Sequence, residues 1–203
     1  MKSIDAFSEI PAMLDQPLVD LGSLNWSVER PKEFTNLQLT GDHARYHESL
    51  MRADVRSSEY SFSPIFIDRV EYTLVGVHEI MRGTRGDETM IFFLGRGRDV
   101  VQLSISIEQA VDSVWTNVNL SNLTTRGSLP RGLGRSLYQS LFAYLQTMAN
   151  RRNKTVVDTV DKFPQGKTTS QDWDRMFLPI LAQQGYKPHS GHQFRKLYLP
   201  IHQ

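Results

Sequence analysis

The chain has 203 residues, of which 39% are hydrophobic and 22% charged, and its formal net charge is +1. This composition is typical of one globular domain, and the near-neutral charge gives no bulk attraction to nucleic acid. The chain lacks cysteine, which excludes disulfides, cysteine-ligated zinc, iron–sulfur clusters and a thiol nucleophile. Because the sequence has no apolar run of transmembrane length and no signal-peptide pattern at its start, we expect a cytoplasmic protein without a membrane partner.

The N-terminal part, residues 1–35, is weakly patterned, and the sequence predicts a short helix and irregular structure there. A short strand over 36–40, a helix over about 42–55 and a loop over 56–59 follow. The sequence shows no internal repeat and no clear second domain. We therefore expect a single domain over residues 1–203, with the weakly patterned part as an N-terminal extension.

β-branched and aromatic residues dominate the next part of the chain. Residues 65–80, 89–94 and 100–107 form three strand-like runs, and short turns at 83–87 and 95–99 separate them. The third run alternates apolar and polar residues. This pattern predicts an antiparallel meander of three strands.

A strand–helix–strand pattern follows the meander. Residues 114–123 alternate like a strand, residues 133–149 repeat apolar residues every fourth position, and residues 155–160 are β-branched. This order favours parallel pairing of the two strands through a right-handed crossover.

The C-terminal part of the chain contains one more helix and a closing pair of strands. The helix begins at Ser170 or Asp172 and ends at Gly185, and the strands cover 186–188 and 193–199. The predicted fold class is therefore α/β with a mixed sheet.

The turn before the first long helix, residues 129–136 (LPRGLGRS), carries the strongest functional signal. A glycine-rich turn that leads into a helix presents backbone N–H groups beside the positive end of the helix dipole, which is a phosphate-binding arrangement. Gly132 and Gly134 remove side chains where a ligand would approach. The turn therefore indicates a pyrophosphate-bearing ligand, although the same glycines also suit a simple tight turn, with the arginines as a solvated face.

Two common phosphate-binding patterns do not fit this turn. A dinucleotide fold has G-x-G-x-x-G in an early parallel βαβ series, whereas here the spacing differs and a meander comes first. A P-loop has G-x-x-x-x-G-K-[ST]. Residues 166–168 supply only the end of that pattern, and Asp161 stands in place of its first glycine.

The segment RGLGRS resembles the acetyl-CoA motif [QR]-x-x-G-x-[GA] of the GCN5-related N-acetyltransferases (GNAT). Arg131 and Gly134 match the motif, whereas Ser136 replaces the usual Gly or Ala. The element order over residues 36–199 is also similar, including the Gly-aromatic pair at 185–186. The resemblance implies a mixed sheet with a meander, then strand–helix–strand, and a cleft for acetyl-CoA where two parallel strands splay apart.

The resemblance also implies where acetyl-CoA, as co-substrate, would bind. Its pyrophosphate would lie on the backbone amides of the motif, and its pantetheine arm along exposed strand backbone before the motif. Nearby guanidinium groups suit phosphate oxygens. The residues implied are Leu120, Ser121, Asn122, Leu123, Arg126, Arg131, Gly132, Leu133, Gly134, Arg135 and Ser136.

Acetylation of an amine needs a base for the ammonium acceptor and a proton for the leaving thiolate. The resemblance implies a glutamate base, for which we select Glu79, since a half-buried cleft would raise its pKa; a solvent-facing strand residue is the alternative. His78 is a second candidate base. Tyr138 is a candidate contact for the thioester sulfur, and core packing is its alternative role. Leu181 occupies the position where the family often has a tyrosine acid.

Other polar residues are weaker candidates. His43 and His47 have metal-ligand spacing but no evident third ligand, so no metal site is expected. Asp158 and Asp161 could bind a cationic acceptor, and their alternative role is that of solvated loop acids.

Three functions stay open from the sequence. The first is an N-acetyltransferase that acts by direct transfer to an amine of a small molecule, peptide or protein, because a cysteinyl acyl-enzyme is impossible. The second is a non-catalytic CoA-binding or regulatory protein on the same fold. The third, a nucleic-acid-binding module, is disfavoured by the near-neutral charge. A homodimer is compatible with the sequence, which does not define the acceptor or the acyl chain.

Overall fold

The computed structural model describes residues 17–32, 55–67, 69–81, 87–97, 99–119, 133–162 and 170–201. Its strands are β1 Val55–Ile67, β2 Val70–Met81, β3 Glu88–Arg96, β4 Asp99–Gln109, β5 Ser113–Asn119, β6 Thr155–Asp161, β7 Lys187–Pro188 and β8 Gln193–Tyr198. The helices are α1 Leu133–Arg152 and α2 Ser170–Gln183, and a 3-10 turn covers Leu21–Ser23.

All eight strands form one sheet in the order β1-β2-β3-β4-β5-β6-β8-β7. Every neighbouring pair is antiparallel except β5 and β6, which are parallel. The helix α1 lies between these two strands in the chain, as a parallel connection requires. The predicted α/β class with a mixed sheet is therefore confirmed.

The meander has four strands, not the predicted three. The predicted loop at 56–59 is wrong because these residues belong to β1, and the predicted strand at 65–80 is a hairpin of β1 and β2. Ile67 pairs with Val70, and Arg69 between them has a left-handed φ of 65°. The sequence did not reveal this turn because it contains no glycine, the residue that usually marks a two-residue hairpin.

Some predicted elements lie outside the described residues. These are the strand at 36–40, the end of the predicted strand at 114–123, and the helix at 42–55 except for its last residue. That last residue, Val55, begins β1.

The main core lies between the sheet and the two helices, on the side that we call the helix face. The four leucines of α1 that recur every fourth residue, Leu133, Leu137, Leu141 and Leu145, are all buried there. They meet the strand residues that point to the same side, such as Val118 and Val160. The other side of the sheet, which we call the opposite face, has a smaller apolar cluster: Tyr60, Val75, Val77, Ile91, Phe93 and Val100.

The N-terminal residues 17–32 pack onto the helix face. Leu21 is buried in the main core, and the backbone N–H groups of Leu18 and Val19 donate to Ser140 Oγ at 2.8 and 3.0 Å. A backbone bridge joins Ser27 to Tyr60 of β1. This segment is irregular, as its weak pattern predicts, yet it is part of the core.

A residue with a left-handed backbone conformation follows each helix. Asn153 has a φ of 49° after α1, and Gly185 has a φ of 79° after α2. The N–H of Tyr186 then donates to the carbonyl of Leu181 at 3.0 Å, which completes a helix C-cap. The Gly-aromatic pair therefore turns the chain so that Tyr186 enters the core.

Candidate functional site

The described part of the glycine motif is the first turn of α1. Leu133 and Ser136 are fully buried, and Arg135 donates from Nη2 to Gln183 Oε1 of α2 at 3.1 Å. This turn contains no acidic residue, so no carboxylate in it opposes an anion at the positive end of the helix dipole. The remaining predicted cofactor contacts lie outside the described residues: Leu120, Ser121, Asn122, Leu123, Arg126, Arg131 and Gly132.

The carboxyl ends of β5 and β6 lie side by side. Their parallel pairing continues without a break from Ser113 and Thr155 to Val118 and Val160. On the opposite face, Asn117 Nδ2 donates to Asp161 Oδ2 at 2.7 Å. Within the described residues the two strands are therefore paired throughout, and the expected splay is not present there.

His78 lies on the helix face between two glutamates. Its Nε2 is 2.8 Å from Glu88 Oε2 and its Nδ1 is 3.5 Å from Glu59 Oε2. Glu88 also accepts from Arg152 Nη2 at 3.1 Å and from Gln109 Nε2 at 3.0 Å. These contacts connect the end of α1 to β2, β3 and β4.

The ionisation of this group follows from its contacts. Burial lowers the pKa of His78, but the hydrogen bonds and charges of Glu88 and Glu59 outweigh it, and the net pKa is raised. Burial raises the pKa of Glu88, but His78 and Arg152 outweigh it, and the net pKa is lowered. The arrangement therefore favours a charged His78 held between two carboxylates.

Glu79 points to the opposite face, away from His78, because neighbouring strand residues alternate. It is fully buried, more than the half-buried cleft residue expected from the sequence, and its alternative role as a solvent-facing residue is wrong. Within the described residues neither carboxyl oxygen has a hydrogen-bond partner. Burial raises the pKa of this carboxyl, and the charge of His78 offsets the rise only in part. The two candidate bases are therefore not a pair.

Tyr138 is fully buried on the helix face. Its ring stacks on Phe142 at a centroid distance of 6.4 Å and meets the ring of Phe177 edge-on at 6.1 Å. Burial raises the pKa of Tyr138 well above its usual value. Leu181, in place of the tyrosine acid, is also in the core. The geometry of Tyr138 is that of a core residue.

Asp158 lies in a buried network of polar side chains, and the sequence did not reveal its partners. Thr116 Oγ1 and the hydroxyl of Tyr186 donate to its two carboxyl oxygens, and the hydroxyls of Tyr186 and Tyr198 are 3.1 Å apart. Burial raises the pKa of Asp158 to about 7, although these hydrogen bonds lower it. The expectation of a solvated loop acid is therefore wrong for Asp158. The sequence did contain a sign of its burial, because in TVVDTVD Asp158 shares a strand face with the apolar residues Val156 and Val160.

A row of polar side chains crosses the opposite face. Strand register places these residues opposite one another, one from each strand. They are Ser58, Glu79, Thr89, Ser106, Asn117, Thr159, Arg195 and Lys187. On β2 and β3 this row borders the buried apolar residues Val77 and Ile91, whereas on β4 it borders the polar Ser104.

Comparisons with protein-family models, with curated proteins and with solved structures each found no match for this chain. Among the described residues, no group of three or more His, Cys, Asp or Glu could hold a metal ion. Within the same part of the chain, no helix combines the length and the apolarity needed to cross a bilayer. Topology and side-chain chemistry therefore carry the functional conclusion.

Proposed function

We propose that the protein is an N-acetyltransferase that transfers an acetyl group from acetyl-CoA to an amine. The supporting observation is the order of its elements. An antiparallel meander leads into the parallel unit β5–α1–β6, β8 lies between β6 and β7, and α1 begins within RGLGRS. This combination resembles the GNAT fold and its acetyl-CoA motif. On that fold, the first turn of α1 would receive the pyrophosphate.

The proposed reaction is a direct acyl transfer. The amine, once deprotonated, attacks the thioester carbonyl carbon, and a C–N bond forms. The C–S bond then breaks, its electron pair goes to sulfur, and the thiolate takes up a proton to give CoA. Glu79 is the proposed base, but register places it three strand spacings from Asn117, about 14 Å. Proton transfer from an amine beside β5 therefore needs intervening water or an extended acceptor.

A non-catalytic CoA-binding protein is the second candidate. It is favoured by the core position of Leu181, which leaves the described helix α2 without a tyrosine acid. Both candidates require CoA binding, and only the first releases the thiol in the presence of an amine.

Calorimetric titration with acetyl-CoA tests the shared requirement. We expect micromolar affinity, and we expect Gly134→Asp to abolish it because the new carboxylate opposes phosphate at the start of α1. Gln171→Asp is the matched control, since it adds the same charge to the first turn of α2. Absence of binding by the unmodified protein would exclude both candidates.

Thiol release with a panel of amines separates the two candidates. Release that depends on both acetyl-CoA and an amine supports the enzyme. Tight binding of acetyl-CoA without release under any amine supports the non-catalytic protein.

A further inference from the structure

An apolar strip crosses the opposite face where β5, β6 and β8 form it. Trp115, Val157 and Leu197, which make up this strip, lie directly opposite one another on the three strands. Trp115 is 40% exposed and Leu197 is 56% exposed, whereas Val157 between them is buried. The guanidinium of Arg195 lies over the Trp115 ring at 5.2 Å. Tryptophan and arginine are enriched at the centres of protein–protein interfaces, so the strip has the composition of a contact surface.

Charges of opposite sign border the apolar strip. Glu108 of β4 is exposed and is the register partner of Trp115. Lys187 of β7 is exposed beyond the other side of the strip, where it pairs in register with Arg195. Register partners share one face of a sheet, so both border charges lie on the opposite face. Among the residues that the structure describes, neither Glu108 nor Lys187 takes part in an ion pair.

The strand order makes this surface self-complementary. The strands follow the order β4-β5-β6-β8-β7, so β6 lies midway between the strand of the acid and the strand of the base. Two copies stacked face to face can be related by a two-fold axis parallel to β6, which lays β4 of each copy over β7 of the other and β5 over β8. Trp115 of one copy then faces the strand of Leu197 in the other, and Glu108 faces the strand of Lys187.

The two border charges differ in their position along the strands. The register row of Glu108 contains Leu197, and Lys187 pairs with Arg195, so the offset is two residues, about 7 Å. The long, flexible stem of a lysine accommodates such an offset.

A second copy suits both borders of the strip. A partner that carries one sign of charge, such as nucleic acid, would pair with only one border and leave the other charge without a partner. In a two-fold contact the same patch is used by both copies, so the pairing of acid with base occurs twice.

We propose that two copies of this chain associate face to face through the opposite face, with Trp115 and Leu197 at the centre and Glu108 paired with Lys187 across the two-fold axis. This contact leaves α1 uncovered, because that helix lies on the helix face. The inference goes beyond the proposed function and does not depend on acetyl-CoA binding. The charge pairs join two copies, so they do not contribute to the folding of a single copy in dilute solution.

Sedimentation velocity across the micromolar range tests the self-association of the unmodified protein, for which we expect a dimer. Glu108→Lys alone and Lys187→Glu alone should each weaken the dimer at least tenfold, because like charges then meet twice across the axis. An equimolar mixture of these two variants should dimerise again, since both pairs of the mixed dimer join opposite charges. Glu71→Lys, at an exposed acid of β2, is the matched control and should leave the dimer unchanged.

An unmodified protein that stays monomeric across this range would overturn the inference, and this measurement requires no variant to fold. Equal dimer affinity in Glu108→Lys and Glu71→Lys would also overturn it, since the contact would then lie elsewhere. The same conclusion would follow if the two interface variants were folded, as circular dichroism reports, and their mixture stayed monomeric, because no two-fold axis would then bring the two charges together.

Discussion

At the scale of single residues, two carboxyl groups are fully buried on opposite faces of the sheet. Asp158 accepts two hydroxyl hydrogen bonds, whereas the carboxyl oxygens of Glu79 have no partner in the part of the chain described. Burial raises the pKa of both groups. Charging either group in the folded state therefore costs free energy, and stability depends on pH.

Asp158→Asn is expected to reduce the pH dependence of stability. The folded pKa is about 7 and the ordinary value is 3.8, so the unfolded chain releases this proton first as pH rises. The free energy of unfolding should therefore fall between about pH 4 and pH 7, by several kcal/mol at about 1.4 kcal/mol per pH unit. Urea denaturation over this pH range measures it in both proteins.

The exposed Asp112 provides the control, because Asp112→Asn should leave the pH dependence as it is in the unmodified protein. A slope in Asp158→Asn as steep as that of the unmodified protein would contradict the assignment to Asp158, since Glu79 contributes a smaller slope of its own.

Glu79→Gln tests both the stability and the activity of the second buried carboxyl. Its raised folded pKa contributes stability below about pH 4.5, which is lost as pH rises through that pKa. The variant should therefore gain stability relative to the unmodified protein as pH rises. If Glu79 is the base, acetyl transfer should fall by about 10²–10⁴-fold. Unchanged rates across a pH series would exclude this role.

At the scale of elements, the contacts of Glu88 hold the end of α1 against the meander. Arg152 from α1, His78 from β2 and Gln109 from β4 all bond to this one carboxylate of β3. The residues are partly buried, so the charges are less screened than those of an exposed pair.

Glu88→Gln is expected to destabilise the protein mostly at mildly acidic pH. The lowered pKa of Glu88 contributes stability above about pH 4.5 that is lost as pH falls. The raised pKa of His78 contributes stability below about pH 6.5 that is lost as pH rises. The loss in the variant should therefore be largest between these values, at about 1–3 kcal/mol by chemical denaturation. Glu108→Gln, an exposed residue of β4, is the control, and equal losses in both variants would contradict the assignment.

At the scale of the whole molecule, one sheet and one main core extend from Leu21 to Tyr198. Shared packing of this kind makes unfolding cooperative. The irregular N-terminal segment should unfold together with the rest, because Leu21 is buried and its neighbours bond to α1.

Leu21→Ala is expected to destabilise the whole protein by about 2–4 kcal/mol, the cost of a cavity in a core. Tryptophan fluorescence and far-UV circular dichroism should give coincident denaturation transitions in both proteins. Val28→Ala, at an exposed position of the same segment, should change stability by less than about 0.5 kcal/mol. Separate transitions for the two probes would show that the segment unfolds by itself.

The sequence alone predicted those elements whose periodicity is local. The leucine repeat of α1, the alternation in β4 and the β-branched run of β6 predict their own secondary structure and the side that each buries. The β1–β2 hairpin was missed because its turn lacks glycine and the polar start of β1 looks like a loop. Pairing with β2 overrides that local composition.

Only the tertiary structure decided which distant residues meet. Strand register brings Trp115 and Arg195 together, although they lie on β5 and β8. Register depends on the pairing of every strand in the sheet, so no local pattern contains it. The α/β class and the inward side of Asp158 could therefore be predicted from the sequence, whereas the hydroxyl partners of Asp158, Thr116 and Tyr186, could not.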